Sequence, residues 1–279
     1  MGRDEFRDDQ WARILPLIPG GSEGAGGPRT NNRRFINALL WMARSGARWR
    51  HLPPDFGAFQ TVKRRYYRWV ERGLIDRLFE QLGDDADLEW LMSRSAGPSA
   101  RRSGMTGPTF AVMRLQAGML DSTIIRAHQH AAGAPKKKGQ KAQGLGRSRG
   151  GFSTKLSTAT DALGHPCRLL PGPGQENDMA KALGLIDGIK PGAVLADRAY
   201  DADRLMGAIL DAGAEPVIPP RRHRKHQHAS DKVLYKERNI IERFFNKLKQ
   251  FRRIATRYDK LISNFMGFVK IAAIEIWLR

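Results

Sequence analysis

Residues 193–197 read AVLAD. Four apolar residues without polar alternation read as a strand buried on both faces, and Asp197 ends it. A carboxylate buried alone is costly, so Asp197 must face a polar opening or a partner at that strand end. Upstream, Asn177 is placed to cap a helix holding Met179, Ala182, Leu183 and Ile186. GFSTKLSTATDALGHPCRLLP (151–171) reads as two strands around a turn at Asp161–Gly164, and MLDSTIIRAH (119–128), short and β-branched, as a strand carrying Asp121. Downstream, a helix from about Asp201 to Ala212 stops at Gly213 and EPVIPP (215–220) is a further strand. A long helix then spans YKERNIIERFFNKLKQ (235–250). The order β-β-β-α-β-α-β-α predicts an α/β layer, a mixed five-stranded sheet with flanking helices, over 119–279.

The composition limits what such a layer does. The 279 residues, 41% of them hydrophobic, suffice for one sizeable core or two modest domains. Lys and Arg number 48 against 28 Asp and Glu, a net charge of +20 and a pI near 10.7. That excess predicts a polyanionic partner, nucleic acid before a membrane surface, because no strongly amphipathic terminal helix supports the latter. No run of 18 apolar residues predicts a transmembrane helix, and MGRDEFRDDQW lacks the apolar core of a signal peptide. The single Cys167 excludes an internal disulfide, so a cytoplasmic protein in a reducing compartment is expected.

Residues 1–92 read as helical. Thr30 or Asn31 caps a helix that Gly46 ends. A second helix has Phe59, Val62, Tyr66, Trp69 and Val70 on one face and Lys63, Arg64, Arg65, Arg68 and Arg72 on the other; Gly73 breaks it before a third, Leu74–Leu82. Short helices, one very basic, suit an all-helical DNA-binding domain of helix-turn-helix type; a solvated basic face is the plain alternative. Trp41, Trp49 and Trp69 are expected as core anchors. SRSAGPSARRSGMTGPTF (93–110) has no periodicity, which makes 93–118 a linker or disordered insert and the domain boundary. KKKGQKAQGLGRSRGG (136–151) is basic and glycine-rich but lacks a P-loop pattern; Arg147 and Arg149 within it are candidates for phosphate contact. His128 and His130, and His226 and His228, share strand-like spacing, yet no third ligand completes a zinc site. The second pair lies in RRHRKHQH, read as a basic DNA-contacting loop, while His128 is a candidate to hydrogen-bond near Asp121.

At 100° per residue, Tyr235, Arg238, Glu242 and Lys249 fall within about 60° of one another. Ile241, Phe244, Leu248 and Phe251 form a neighbouring stripe able to bury against the sheet, which puts Glu242 at the edge of the buried face. Two aspartates at strand ends suggest a common site, and Glu242 is placed to join them. Three converging carboxylates suit Mg²⁺, a hard cation with oxygen ligands, and two such ions about 4 Å apart would serve phosphoryl transfer. Singly, each carboxylate has an ordinary reading: a structural Asp121, a helix cap at Asp197, a surface pair for Glu242.

The run Tyr235-x₂-Arg238-x₃-Glu242-x₆-Lys249 resembles the signature around the catalytic Glu of DDE transposases from bacterial insertion sequences. DSTIIRAHQHAAGA and LADRAYDAD resemble the two Asp segments of the IS5-type group. The resemblance extends from the N-terminal region, including GARWRHLPPDFG, to IAAIEIWLR, and omits about 93–118, an insertion relative to that pattern. It implies an RNase H-like catalytic domain with Asp121, Asp197 and Glu242 as ligands of two Mg²⁺ (or Mn²⁺) ions. It further implies Arg238 and Lys249 on DNA phosphate, Tyr235 shaping the site, and a homo-oligomer assembled on terminal inverted repeats and target DNA. The separations 197 − 121 = 76 and 242 − 197 = 45 suit that fold without a large insertion domain. Two alternatives stay open: another RNase H-like nuclease, and an inactive relic that binds DNA as a repressor.

Overall fold

The computed structural model describes residues 5–20, 31–83, 117–133, 143–189, 191–225 and 227–279. Helices α1 (Asp8–Ile14), α2 (Asn32–Ser45), α3 (Phe59–Glu71) and α4 (Leu74–Gly83) come first. The Asn31 side chain caps α2 by accepting from Arg34 N at 2.8 Å, and Gly46 closes it with φ 67°. Then follow β1 (Ala117–Ala127), β2 (Gly146–Ser148), β3 (Gly151–Thr160), β4 (Pro166–Pro173), α5 (Met179–Ile186), β5 (Ala193–Ala196), α6 (Asp203–Asp211) and β6 (Glu215–Val217). The chain closes with α7 (Lys232–Tyr235), α8 (Asn239–Lys249), α9 (Arg252–Ala255), β7 (Thr256–Arg257) and α10 (Ile262–Trp277).

The sheet runs β4-β3-β1-β5-β6, antiparallel from β4 to β1 and parallel from β1 to β6. β2 lies beside the start of β3 and β7 beside the end of β1, making seven strands among the described residues rather than the five expected. The two additions are three and two residues long, too short to leave a periodic signal. β1 begins at Ala117, inside the segment expected to be linker, because Ala117 and Gly118 pair with Ala193 and Val194 of β5. The rest of that segment, 93–116, lies outside the described residues.

Strand alternation gives the sheet two cores. Leu120, Val194 and Ala196 point to one face, covered by Ala182 and Leu185 of α5 and Leu205 and Ile209 of α6. Met119, Ile125, Ala193 and Leu195 point to the other, covered by Ile241, Phe244 and Leu248 of α8 and by α10. All four β5 residues are buried, as a doubly covered strand requires.

The N-terminal helices continue the second core rather than closing one of their own. Phe79 of α4 stacks on Trp277 of α10 with centroids 5.0 Å apart, and the Tyr66 hydroxyl donates to Asn264 O. Arg44 pairs with buried Glu275 at 2.6 Å, Lys270 with Asp76 at 2.6 Å, and Gln10 Nε2 donates to Leu278 O at 2.9 Å. Trp69 meets Phe35 edge-on at 5.0 Å and Trp49 packs on Tyr66 and Phe268, so both anchor the core.

Arg257, fully buried on β7, ties these parts together. It donates to Asp259 O (2.9 Å), Gln143 O (2.8 Å), Lys260 O (3.0 Å) and Thr154 Oγ1 (2.7 Å). Burial lowers its pKa to about 10, which leaves it charged at neutral pH. Arg257→Met keeps the volume and strands these acceptors. It is expected to cost about 3 kcal/mol and lower Tm by on the order of 8 °C in a thermal melt; an unchanged Tm would remove the brace from this account.

Candidate active site

β1 and β5 run side by side only as far as Leu120 and Ala196. The next residues are Asp121 and Asp197. Each has the strand parity of Met119 or Leu195, so both carboxylates face the α8 side of the sheet. The next strand pairing on that edge of β1 is β7, at Arg126 and Ala127. Between those two pairings Asp121 and the residues after it run on past the carboxyl end of β5, and strand ends of parallel α/β sheets are where ligands collect.

Asp121 Oδ1 accepts from Ser122 N at 2.7 Å and Oδ2 from Arg238 Nη1 at 2.8 Å. Burial pushes the Asp121 carboxyl above its ordinary value; Ser122 N and Arg238 pull against that, and the charge of Asp197 adds to it. Asp197 Oδ1 accepts from Ala199 N at 2.8 Å, capping a 3₁₀ turn, Arg198–Tyr200, so the ordinary capping role is present as well. Glu242 is half-exposed on α8, and its Oε1 accepts from Arg238 Nη2 at 2.5 Å.

Arg238 thus holds two carboxylates from different elements in one planar fork. It ends the 3₁₀ turn Lys236–Arg238 ahead of α8 and lies 5.8 Å from the Tyr235 ring. Burial opposes its charge, but Asp121, Tyr235, Glu242 and Asp197 outweigh that and raise its pKa. Among the described residues, no three His, Cys, Asp or Glu side chains form a ready metal cage. Instead Asp121 and Glu242 meet through a cation of the chain itself, beside Asp197. Hard oxygen donors, two of them adjacent like charges, nevertheless fit a divalent ion.

Behind Asp121 lies a group that the sequence reading missed. Ser122, on the opposite sheet face, donates its hydroxyl to Asp178, which also pairs with the Lys155 ammonium at 2.9 Å. The Tyr200 hydroxyl is buried there; burial first, then the charges of Asp178, Asp121 and Asp197, raise its pKa. Asn177, expected as the cap of α5, stands one residue too early: the N-cap is Asp178, and Asn177 accepts from Met179 N at 2.9 Å in a turn ahead of it. The RRHRKHQH loop also has an unexpected job. Arg221 donates to Arg198 O (3.1 Å) and Ala199 O (2.6 Å), and Arg224 pairs with buried Asp201 at 2.5 Å, so two of its arginines brace the turn after Asp197.

The expected DNA-contacting residues divide. Arg64 and Arg68 are exposed on α3, and Lys63 lies over the Tyr67 ring at 5.7 Å. Arg65 does not share that face: it stacks on Phe35 (4.2 Å) and Trp69 (5.3 Å) and donates to Asn32, with burial and Arg68 lowering its pKa. Its flat guanidinium packs on rings, which a count of positive charges does not reveal. Arg147 and Arg149 are exposed around the β2–β3 turn, Arg147 over Phe152 at 4.9 Å; residues 134–142 of that loop lie outside the described residues. Lys249 is exposed at the end of α8. His128 corrects the expectation that it assists Asp121. It is seven residues further along, roughly 23 Å on an extended chain, and it stacks on Tyr258 and His130 instead.

A mixed sheet of this order behind an N-terminal helical region is that of an RNase H-like fold. Residues 114–274 match the family model "Transposase DDE domain", and residues 6–79 match "Putative transposase of IS4/5 family". The chain belongs to the DDE transposase family of insertion sequences. It is 47% identical over 132 residues, 46% of this chain and 100% of the relative, to "Putative transposase for insertion sequence element IS6501" of Brucella ovis. It is 50% identical over 139 residues, 50% of this chain and 90% of the relative, to "Uncharacterized protein y4sN" of Sinorhizobium fredii. A Burkholderia cepacia protein, "Putative transposase for insertion sequence element IS402", is 34% identical over 130 residues, 42% of this chain and 59% of the relative. A DDE domain generally implies use of a divalent metal, and among the described residues no helix is long and apolar enough to cross a membrane.

The raised Asp121 carboxyl makes a stability prediction. The folded chain keeps this proton to higher pH than the unfolded chain, whose Asp titrates near 3.8. The stability that protonation adds is complete at acid pH and is lost as pH rises through the folded value. Asp121→Asn removes that loss. Its Tm is expected to match wild type at acid pH and exceed it at neutral pH; a lower Tm at neutral pH would contradict the burial argument.

Proposed function

We propose that this chain is an insertion-sequence transposase that binds terminal inverted repeats and catalyses metal-dependent DNA cleavage and strand transfer. Asp121, Asp197 and Glu242 act as its carboxylate triad. The observation that carries the reading is the parting of β5 from β1, with Asp121 and Asp197 side by side on the face that α8 covers. The three carboxylates would hold Mg²⁺ or Mn²⁺, two ions in all, and a bound ion of this kind activates a water or 3′-hydroxyl and neutralises charge on the leaving oxygen. Asp197, fixed by Ala199 N, and Asp121, fixed by Ser122 N, keep their carboxylates in register without metal. Exposed Arg64, Arg68, Arg147, Arg149 and Lys249 take phosphates of the repeat ends and target, and Tyr235 supports Arg238. Bringing two ends together calls for a homo-oligomer on DNA.

The test is Mg²⁺-dependent cutting of labelled DNA that carries the element's repeat end. Asp121→Asn, Asp197→Asn and Glu242→Gln are expected to cut at least about 10³-fold more slowly while binding the same DNA, the scale of losing groups aimed at transition-state charge. Full cutting by all three variants would sink the triad. Specific binding by wild type without any cut would select a repressor.

A further inference from the structure

We propose that Arg238 is a resident counter-ion of the carboxylate site and that a divalent metal enters by exchanging with it. The inference rests on the reading of Asp121, Asp197 and Glu242 as metal ligands. Neither oxygen of Asp121 is idle: Ser122 N takes Oδ1, and Arg238 Nη1 takes Oδ2 at 2.8 Å. The same guanidinium takes Glu242 Oε1 at 2.5 Å. A divalent ion held by Asp121 and Glu242 would compete with Arg238 for the charge of both carboxylates.

The charges argue for exchange rather than coexistence. Three carboxylates and one guanidinium sum to −2. One divalent ion brings that sum to zero and two bring it to +2, so a second ion is opposed for as long as Arg238 stays. A guanidinium between two carboxylates also keeps like charges together in the metal-free chain, where they would otherwise repel. Arg238 suits this task because its fork is rigid and reaches two partners at once, whereas an ammonium is a single point charge. Its side chain is 18% exposed and Glu242, one turn ahead, is 53% exposed, which leaves a way out on the solvent side of α8. The released guanidinium is then free to take a phosphate of bound DNA, so in this account Arg238 reaches DNA only after metal has displaced it.

Calorimetric titration of Mn²⁺ into the metal-free, DNA-free chain tests this without reference to cleavage. Arg238→Gln is expected to bind Mn²⁺ about tenfold more tightly than wild type, the scale of coupling between two ligands that share a site. Its metal-free Tm should fall and its gain in Tm on adding Mn²⁺ should grow. Arg238→Lys should lie between Gln and wild type, and it decides the matter if the Gln variant fails to fold. Equal or weaker Mn²⁺ binding by the folded variants overturns the proposal. Asp121→Asn and Asp197→Asn, titrated alongside, separate the two readings. If both abolish Mn²⁺ binding while the Arg238 variants bind no more tightly, the metal centre stands and the exchange fails. If both bind as wild type does, the metal centre fails and the exchange with it.

Discussion

The structure depends on two parallel strands that pair for four residues and then separate. While β1 and β5 are joined, their side chains are apolar and fill the cores on either face of the sheet. One residue past the last pair, each strand presents a carboxylate to the same face. Two like charges at that spacing are a cost that apolar packing cannot meet. The chain answers with backbone amides at Ser122 and Ala199 and with the Arg238 guanidinium. The site holds this electrostatic tension in the folded chain, and a divalent cation is suited to relieve it.

The remaining architecture fixes where that tension sits. α8 lies on the sheet through Ile241, Phe244 and Leu248, so Arg238 and Glu242 come to the Asp121 side of the sheet by packing and not by attraction alone. The N-terminal helices lock on α10 through Glu275, Asp76 and Trp277, and α10 shares its core with α8. Groups expected to bind DNA and the groups expected to cut it are therefore attached to one continuous apolar body. On the opposite face, Asp178 and Lys155 anchor Ser122, the residue whose amide holds Asp121.

Much of this was legible in the residues. AVLAD announced a buried strand with a polar end, Asn31 and Gly46 marked the limits of α2, and the spacing from Arg238 to Glu242 put the two on one helix face, although the resemblance implied Arg238 on DNA phosphate rather than on Glu242. Other features depend on partners far along the chain, which local pattern cannot supply. Arg238 reaches Asp121 across 117 residues, and Arg257 reaches Gln143 across 114. Arg65 and Arg221 look like DNA contacts by charge, yet one packs on aromatic rings and the other holds carbonyls of the turn after Asp197. Positive charge predicts a partner for the whole molecule but does not say which arginines remain available to it.

The most direct measurement is anomalous scattering from crystals of the protein grown with Mn²⁺. The account predicts a manganese peak within ligand distance of Asp121 and Asp197, with Arg238 withdrawn from Asp121. Crystals saturated with Mn²⁺ that show no peak there, with the Arg238 fork still closed on Asp121 and Glu242, would contradict it.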